Sequence, residues 1–162
     1  MTLVIRHREI HVCFVARPLG AARGYERRAA MSAQSNAEAM RKGYDAFSRG
    51  DMDMLRNELF SPDIVWHQGG RNQTSGDYRG PDEVISLFGK LFQLTDGTFH
   101  VEVHDLLASD EHVVVLAQLR AQRAGKTVQH GDYSHVCHFR DGKLSEAWIV
   151  DVDPYELDEF FG

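Results

Sequence analysis

The feature of the sequence that most constrains its fold is the dipeptide Asp141-Gly142, which lies between two segments of strand-like composition. Asp-Gly is favoured in two-residue β-hairpin turns because both central residues of such a turn need a positive φ. The dipeptide therefore predicts a β-hairpin over residues 127–152.

Counting outward from this turn predicts the pairing of the two strands. The expected pairs are Phe139 with Leu144, Cys137 with Glu146, His135 with Trp148, and Tyr133 with Val150. Because side chains alternate along a strand, these eight residues share one face, which is mainly aromatic and apolar. The other face carries Asp132, Ser134, Val136, His138, Ser145, Ala147, Ile149 and Asp151. The hairpin is predicted to form the floor of a pocket, with His135 beside Trp148.

Composition indicates one globular domain. The chain has 162 residues, of which 43% are hydrophobic and 26% charged, and it holds no apolar run long enough to span a membrane. Residues 31–162 carry 12 Lys and Arg against 22 Asp and Glu, without a basic stripe, which argues against nucleic acid as a partner. The two cysteines, Cys13 and Cys137, form no disulfide framework, so a cytoplasmic location is expected.

Residues 1–30 differ from the rest of the chain. They contain six Arg, no Lys and two Glu, and they show no amphipathic period. A transit-like or basic tail is one interpretation of this segment. The interpretation that we favour is a poorly ordered extension preceding a domain at 31–162.

The remaining patterns predict an α+β fold. The expected order is helix, helix, strand, helix and then four strands, followed by a short aromatic tail at 154–161. Residues 69–80 are expected to be a polar, glycine-rich loop that could act as a lid. Residues 113–117 are apolar throughout, as is typical of a central strand covered on both faces.

Four sequence stretches resemble the nuclear transport factor 2-like superfamily, and in particular its SnoaL-like branch of polyketide cyclases and ketosteroid isomerase relatives. They are DIVWH, YRGPDEVISLF, TDGTFHVEVHDLLASDEHVVVL and HFRDGKLSEAW. The resemblance covers about residues 35–162. It implies a cone-shaped α+β fold in which a curved mixed or antiparallel sheet wraps around three N-terminal helices and encloses a deep pocket, commonly in a dimer.

The resemblance also implies candidate catalytic residues. His135 stands at the position of the cyclase aspartate, His67 near that of the isomerase general base, and Tyr44 at that of the oxyanion-hole tyrosine. A neutral imidazole exchanges protons near pH 7 with little tuning. We therefore expect His67 to act as base, His135 as its acid or orienting partner, and Tyr44 as a donor to a developing oxyanion.

Five further residues are predicted to bind substrate: Trp66, Tyr133, Trp148, Phe88 and Asp151. Asp151 joins the pocket only if a β-bulge turns it inward, because the simple register places it on the outer face.

A metal site is not expected despite nine histidines. His130 and His138 lie eight residues apart on one strand, and His135 and His138 point to opposite faces. No metal-binding motif of histidines or paired cysteines is present. Neither a metal nor a cofactor is therefore predicted.

The sequence thus predicts a protein that binds a small apolar or polycyclic molecule. The leading hypothesis is isomerase, cyclase or lyase chemistry by acid–base catalysis without a cofactor. The alternative is a non-catalytic ligand-binding or dimerisation module of the same fold. A homodimer is expected through the outer face of the hairpin, by way of Val136, Ala147 and Ile149. Neither nucleic acid nor a membrane is expected as a partner.

Overall fold

The computed structural model describes residues 32–162. The predictions made for residues 1–30 lie outside the described residues. Within the described part, no helix is both long enough and apolar enough to cross a membrane.

Helix α1 spans Ala33–Arg49 and has well-defined ends. The Ser32 hydroxyl accepts a hydrogen bond from the Ser35 backbone N–H at 3.1 Å, and the Ser35 hydroxyl accepts one from Ser32 N–H at 3.0 Å. This reciprocal capping box satisfies two backbone donors that the helix cannot pair. Gly50 ends the helix with φ +73°, a left-handed conformation that glycine adopts without steric cost.

Three further helices follow the predicted order. Helix α2 is a single turn at Met52–Met54 that continues into a π-helical turn at Leu55–Leu59. Helix α3 spans Gly80–Leu94 and has proline in its first turn, where the missing N–H costs no helical hydrogen bond. Helix α4 is the aromatic tail, Pro154–Phe161.

The six strands form one mixed sheet in the order β2-β1-β6-β5-β4-β3. They are β1 (Phe60–Gln68), β2 (Gly76–Arg79), β3 (His100–Ala108), β4 (His112–Arg123), β5 (Lys126–Arg140) and β6 (Lys143–Asp151). Strands β1 and β6 are parallel, and every other neighbouring pair is antiparallel. The predicted α+β class and the four strands after α3 are confirmed.

Two details of the sheet differ from the prediction. Strand β2 occupies the end of the segment that was expected to be loop throughout. Strand β4 lies next to the sheet edge rather than at its centre, and within the apolar run 113–117 only the inward residues Val113, Val115 and Ala117 are fully buried. Its outward residues, Val114 and Leu116, are half-buried. The run is apolar throughout because the outer face of the sheet also carries apolar side chains here.

The hairpin turn is confirmed at Asp141-Gly142, whose φ angles are +50° and +85°. Phe139 pairs with Leu144 as predicted, but His138 then pairs with Glu146. Ser145 is therefore an extra residue, a β-bulge that changes the register of the rest of β6 by one position.

The bulge reverses the faces predicted for β6. His135 pairs with Ile149 and not with Trp148, which lies opposite Val136 on the outer face. Asp151 turns to the inner face, opposite Tyr133. The predicted pairing of His135 with Trp148 is wrong, because an odd shift in register moves each side chain to the other face.

The hydrophobic core lies between the inner face of the sheet and the helices. Inward side chains from β1, β3, β4, β5 and β6 are buried there, together with the apolar stripes of α1, α3 and α4. The outer face keeps partly exposed apolar residues, including Val150 at 53% exposure. The two faces of the sheet therefore offer two distinct chemical surfaces.

Candidate functional site

A cavity lies between the inner face of the sheet and helices α1, α3 and α4. The empty space in it is about 760 Å³, including the part open to solvent. Its walls are mainly aromatic and aliphatic. The polar side chains that line it are Tyr44, Gln68, Tyr133, His135 and Asp151.

His135, on β5, is the most buried polar group of the cavity, with 2% exposure. Its Nδ1 lies 2.9 Å from the Tyr44 hydroxyl on α1, and its ring packs on Trp66 with centroids 4.7 Å apart. Burial lowers the pKa of His135 to about 3 because the charged imidazolium is poorly solvated there. The imidazole is therefore neutral at physiological pH.

The second ring nitrogen of His135 is available for a ligand. Within the described residues, Nε2 is buried and has no hydrogen-bond partner. The Tyr44 hydroxyl can donate to Nδ1 or accept from it, so Nε2 can either carry the proton or accept one. Burial raises the pKa of Tyr44 well above its ordinary value and keeps it a phenol. The Tyr133 hydroxyl, 3.5 Å from that of Tyr44, extends this polar row.

Asp151 is the second group with an unused polar atom. Its Oδ1 is buried and lacks a partner among the described residues. Burial raises the pKa of Asp151 to about 6, and the negative charge of Asp158 adds to the effect. Asp151 can therefore exchange a proton close to neutral pH, as a general acid or base requires.

His67 lies outside the cavity, on the outer face of the sheet. Its Nδ1 is 2.7 Å from Asp77 Oδ1, its Nε2 is 3.1 Å from Glu146 Oε1, and its ring stacks on Trp148 with centroids 5.0 Å apart. Desolvation alone would lower the pKa of His67, but the hydrogen bonds to the two carboxylates outweigh it and raise the pKa.

The prediction that His67 and His135 share a pocket with Trp148 as its wall is wrong. Trp66 points inward, so the next residue along β1 must point outward. The bulge at Ser145 places Trp148 on that same outer face.

The other six predicted site residues come together around the cavity. They are Tyr44, Trp66, Phe88, Tyr133, His135 and Asp151. Their catalytic and binding roles stay predictions.

The sequence reasoning missed Gln68 and the wall that α4 provides. Gln68 follows Trp66 by two positions on β1, so strand periodicity alone could have assigned it to the inner face. Its Oε1 accepts a hydrogen bond from Trp66 Nε1 at 3.2 Å. Leu157 and Phe161 of α4 also line the cavity, and the aromatic composition of the tail was the available signal.

Within residues 32–162, no group of three or more His, Cys, Asp or Glu side chains is arranged to hold a metal ion. Cys137, next to the site on β5, is fully buried, and burial raises the pKa of its thiol. The chemistry on offer in the cavity is therefore proton exchange and hydrogen bonding by His135, Asp151 and the two tyrosines.

Comparison with known proteins agrees with this architecture. The family model of the SnoaL-like domain matches residues 40–147. The chain belongs to the SnoaL-like family. An uncharacterized protein of Mycobacterium tuberculosis is 33% identical over 134 residues, a match that covers 81% of this chain and 99% of that protein.

Solved structures of this SnoaL-like chain's relatives extend the comparison. Bal32a, from a soil-derived mobile gene cassette, is 34% identical with a TM-score of 0.77 and covers 80% of this chain and 98% of its own. TerC, co-crystallized with polyporic acid, is 19% identical with a TM-score of 0.69 and covers 78% of this chain and 98% of its own. A Burkholderia xenovorans protein described as NTF2-like is 22% identical with a TM-score of 0.68, covering 82% and 99%. The latter two show the fold alone.

Proposed function

We propose that this SnoaL-like protein binds a small, neutral, largely apolar ring compound and moves a proton on it, with Asp151 and His135 as the reacting groups. The observation that carries the proposal is the pair of buried, unpartnered atoms, His135 Nε2 and Asp151 Oδ1, in an otherwise apolar cavity. A buried polar atom without a partner costs about 1–3 kcal/mol. A ligand with polar atoms at both places would remove that cost.

The walls of the cavity support the choice of ligand. No Lys or Arg is among the described residues that line it, so a phosphate or carboxylate on the ligand would lack a counter-charge. The aromatic walls offer flat apolar surface to a ring. TerC, which shares the fold, was co-crystallized with polyporic acid.

The protonation states of Asp151 and His135 suit isomerase or cyclase chemistry. With a pKa of about 6, Asp151 is mostly ionised at pH 7 and can take a proton from a carbon next to a carbonyl group. When Tyr44 donates to Nδ1, His135 holds a proton on Nε2 and donates a hydrogen bond to the enolate oxygen. The Asp151 carboxyl group then returns the proton to another carbon. No cofactor takes part in this step.

Binding without turnover is the second candidate function. The low pKa of His135, about 3, favours binding without turnover. At pH 7 the imidazole is neutral and has no imidazolium proton to transfer to a ligand. In that case the same two atoms would only orient the ligand.

The test is hydrogen–deuterium exchange at carbon in a panel of neutral cyclic ketones incubated with the protein in D₂O. Asp151→Asn should keep binding and lower the exchange rate by about 100-fold or more, the usual contribution of a general base. His67→Gln, on the outer face, is the matched control and should change nothing. Exchange that survives both Asp151→Asn and His135→Gln would refute the catalytic roles, and tight binding without exchange in the wild type would establish the binding module.

We also infer that the chain forms a homodimer through the outer face of its sheet. The residues that support this form one patch across β4, β5 and β6: Val114, Leu116, Val136, Trp148 and Val150. This outer patch replaces the one predicted from sequence, because the bulge turns Ala147 and Ile149 inward.

Polar and charged side chains border the outer patch. Glu146, on β6, lies 3.1 Å from His67 Nε2 and 3.6 Å from His138 Nδ1, and the imidazoles of His112 and His138 lie 4.4 Å apart. An apolar centre with a charged rim is the usual anatomy of an interface. The cytoplasmic location expected from cysteine usage stays a prediction.

A further inference from the structure

Helix α4 and the glycine-rich loop at residues 69–75 are joined by the Asp158 carboxylate and by the side chain of Gln73. Asp158 Oδ1 accepts hydrogen bonds from the Arg71 backbone N–H at 2.6 Å and from Asn72 Nδ2 at 2.9 Å. Gly70, at φ +92°, allows this approach, because a Cβ there would lie 2.5 Å from the same oxygen. The loop is therefore shaped around Asp158.

The last turn of α4 is held by separate contacts. Arg123 Nη1 donates to the Phe160 carbonyl at 2.8 Å, Lys126 Nζ to the Glu159 carbonyl at 2.6 Å, and Gln73 Nε2 to the Phe161 carbonyl at 2.5 Å. Cationic groups at the carboxyl end of a helix also complement its dipole. These bonds anchor the end of α4, whereas Asp158 fastens its middle to the loop.

The fastened helix is a wall of the cavity. Leu157, next to Asp158 on α4, lines the cavity together with Phe161. Asp151, the candidate base, lies at the end of β6, three residues before α4 begins, and it lines the same cavity. Any movement of α4 away from the sheet would open the cavity beside Asp151.

Asp158 also brings a negative charge close to Asp151. Among the described residues, no Lys or Arg forms an ion pair with Asp158, and its hydrogen-bond donors are neutral groups. Its charge therefore adds to burial in favouring the protonated form of Asp151.

We propose that Asp158 is a positioning residue: it fastens the glycine-rich loop to α4, the wall of the cavity that adjoins Asp151. In that position its carboxylate also disfavours a second negative charge on Asp151. The importance of this contact for turnover rests on the proposed function, but the contact itself is a property of the ligand-free protein.

Two substitutions separate the hydrogen-bond acceptor that Asp158 provides from its negative charge. Asp158→Asn keeps an oxygen that can accept from Arg71 N–H but removes the charge. Asp158→Ala removes both. Glu156→Gln is the matched control, because it removes an equal charge from an exposed position of the same helix.

The measurements are the titration of the Asp151 carboxyl carbon by NMR and the amide hydrogen exchange of Arg71, both without ligand. Asp158→Asn should lower the midpoint of the Asp151 titration from about 6 toward its usual range and leave Arg71 exchange close to wild type. Asp158→Ala should lower the midpoint as well and speed Arg71 exchange on the order of tenfold or more, as loss of a charge-assisted hydrogen bond predicts. Glu156→Gln should change neither.

An Asp151 midpoint that Asp158→Asn leaves unchanged would overturn the proposal, as would slow Arg71 exchange in Asp158→Ala. Because neither measurement requires a substrate, the result stands whether or not ketone exchange is found. Should Asp158→Ala fail to fold, Gly70→Ala tests the same contact, since its Cβ would displace Asp158 Oδ1 and should also speed Arg71 exchange.

Discussion

The two best-defined histidines of the chain respond to their surroundings in opposite directions. His135 is enclosed by apolar groups and its pKa is lowered to about 3, whereas His67 lies between two carboxylates and its pKa is raised. Two strands of one sheet, β1 and β5, thus place the same residue type in two different electrostatic environments. The two opposite pKa shifts should make the contributions of these histidines to folding stability change with pH in opposite directions.

We predict that His135 destabilises the fold as the medium becomes acidic. Below an unfolded-state pKa of about 6.5, the unfolded chain binds a proton at this position and the folded chain does not, down to about pH 3. The stability of the wild type relative to His135→Gln should therefore fall by up to about 1.4 kcal/mol per pH unit between pH 6 and 4. Urea unfolding of both proteins at several pH values measures this difference.

His67→Gln provides the opposite case. The contribution of His67 is present below its unfolded-state pKa and is lost as the pH rises through its raised folded-state pKa. Stability relative to His67→Gln should therefore increase on acidification, by a small amount because the side chain is partly solvated. If both variants shifted in the same direction, the assigned environments of the two histidines would be wrong.

At the scale of the element, the bulge at Ser145 decides what β6 contributes to the cavity. The Ser145 hydroxyl donates to the His138 carbonyl at 3.2 Å, across the point where the register changes. Beyond it, Ala147, Ile149 and Asp151 face inward. Without it, Trp148 would take an inward position now held by smaller side chains.

We predict that deleting Ser145 is far more damaging than changing it. The deletion would force either a strained strand or a continuous register with Trp148 in the packed core, where overpacking costs about 1–3 kcal/mol and exposing the displaced apolar residues adds to it. Ser145→Ala, which keeps the register, should stay within about 1 kcal/mol of the wild type. Chemical unfolding followed by tryptophan fluorescence compares the two, and a deletion variant as stable as the wild type would contradict the register.

At the scale of the whole molecule, helices α1, α3 and α4 pack on the inner face, and no helix within residues 32–162 covers the outer patch. Assembly and ligand binding would then use opposite faces of one sheet. A substitution on the outer patch can therefore alter one without the other.

We predict that Val150→Asp converts a dimer to a monomer in sedimentation velocity while leaving ketone binding intact. Val150 is 53% exposed, so the charge is tolerated in the monomer but would be desolvated between two copies. Tyr155→Asp is the control, because Tyr155 is 83% exposed on α4 and not part of the outer patch. A dimer that persists in Val150→Asp, or a wild type that is monomeric, would rule out this interface.

The sequence by itself determined the features that depend on neighbouring residues. The Asp141-Gly142 turn, the order of helices and strands, the inward face of β5 and the family all follow from local spacing or motif. Strand periodicity was sufficient to place Tyr133 and His135 on one face, and the family resemblance singled out Tyr44, whose hydroxyl contacts both.

Only the tertiary structure decided which residues share the cavity. The position of the bulge depends on how β6 pairs with β5 on one side and with β1 on the other, and Ser145 carries no local signal of it. That single extra residue moved Trp148 out and Asp151 in. Strand register depends on pairing with distant segments, and side chains along a strand alternate between the two faces. One unforeseen extra residue therefore moves every later side chain on the strand to the other face.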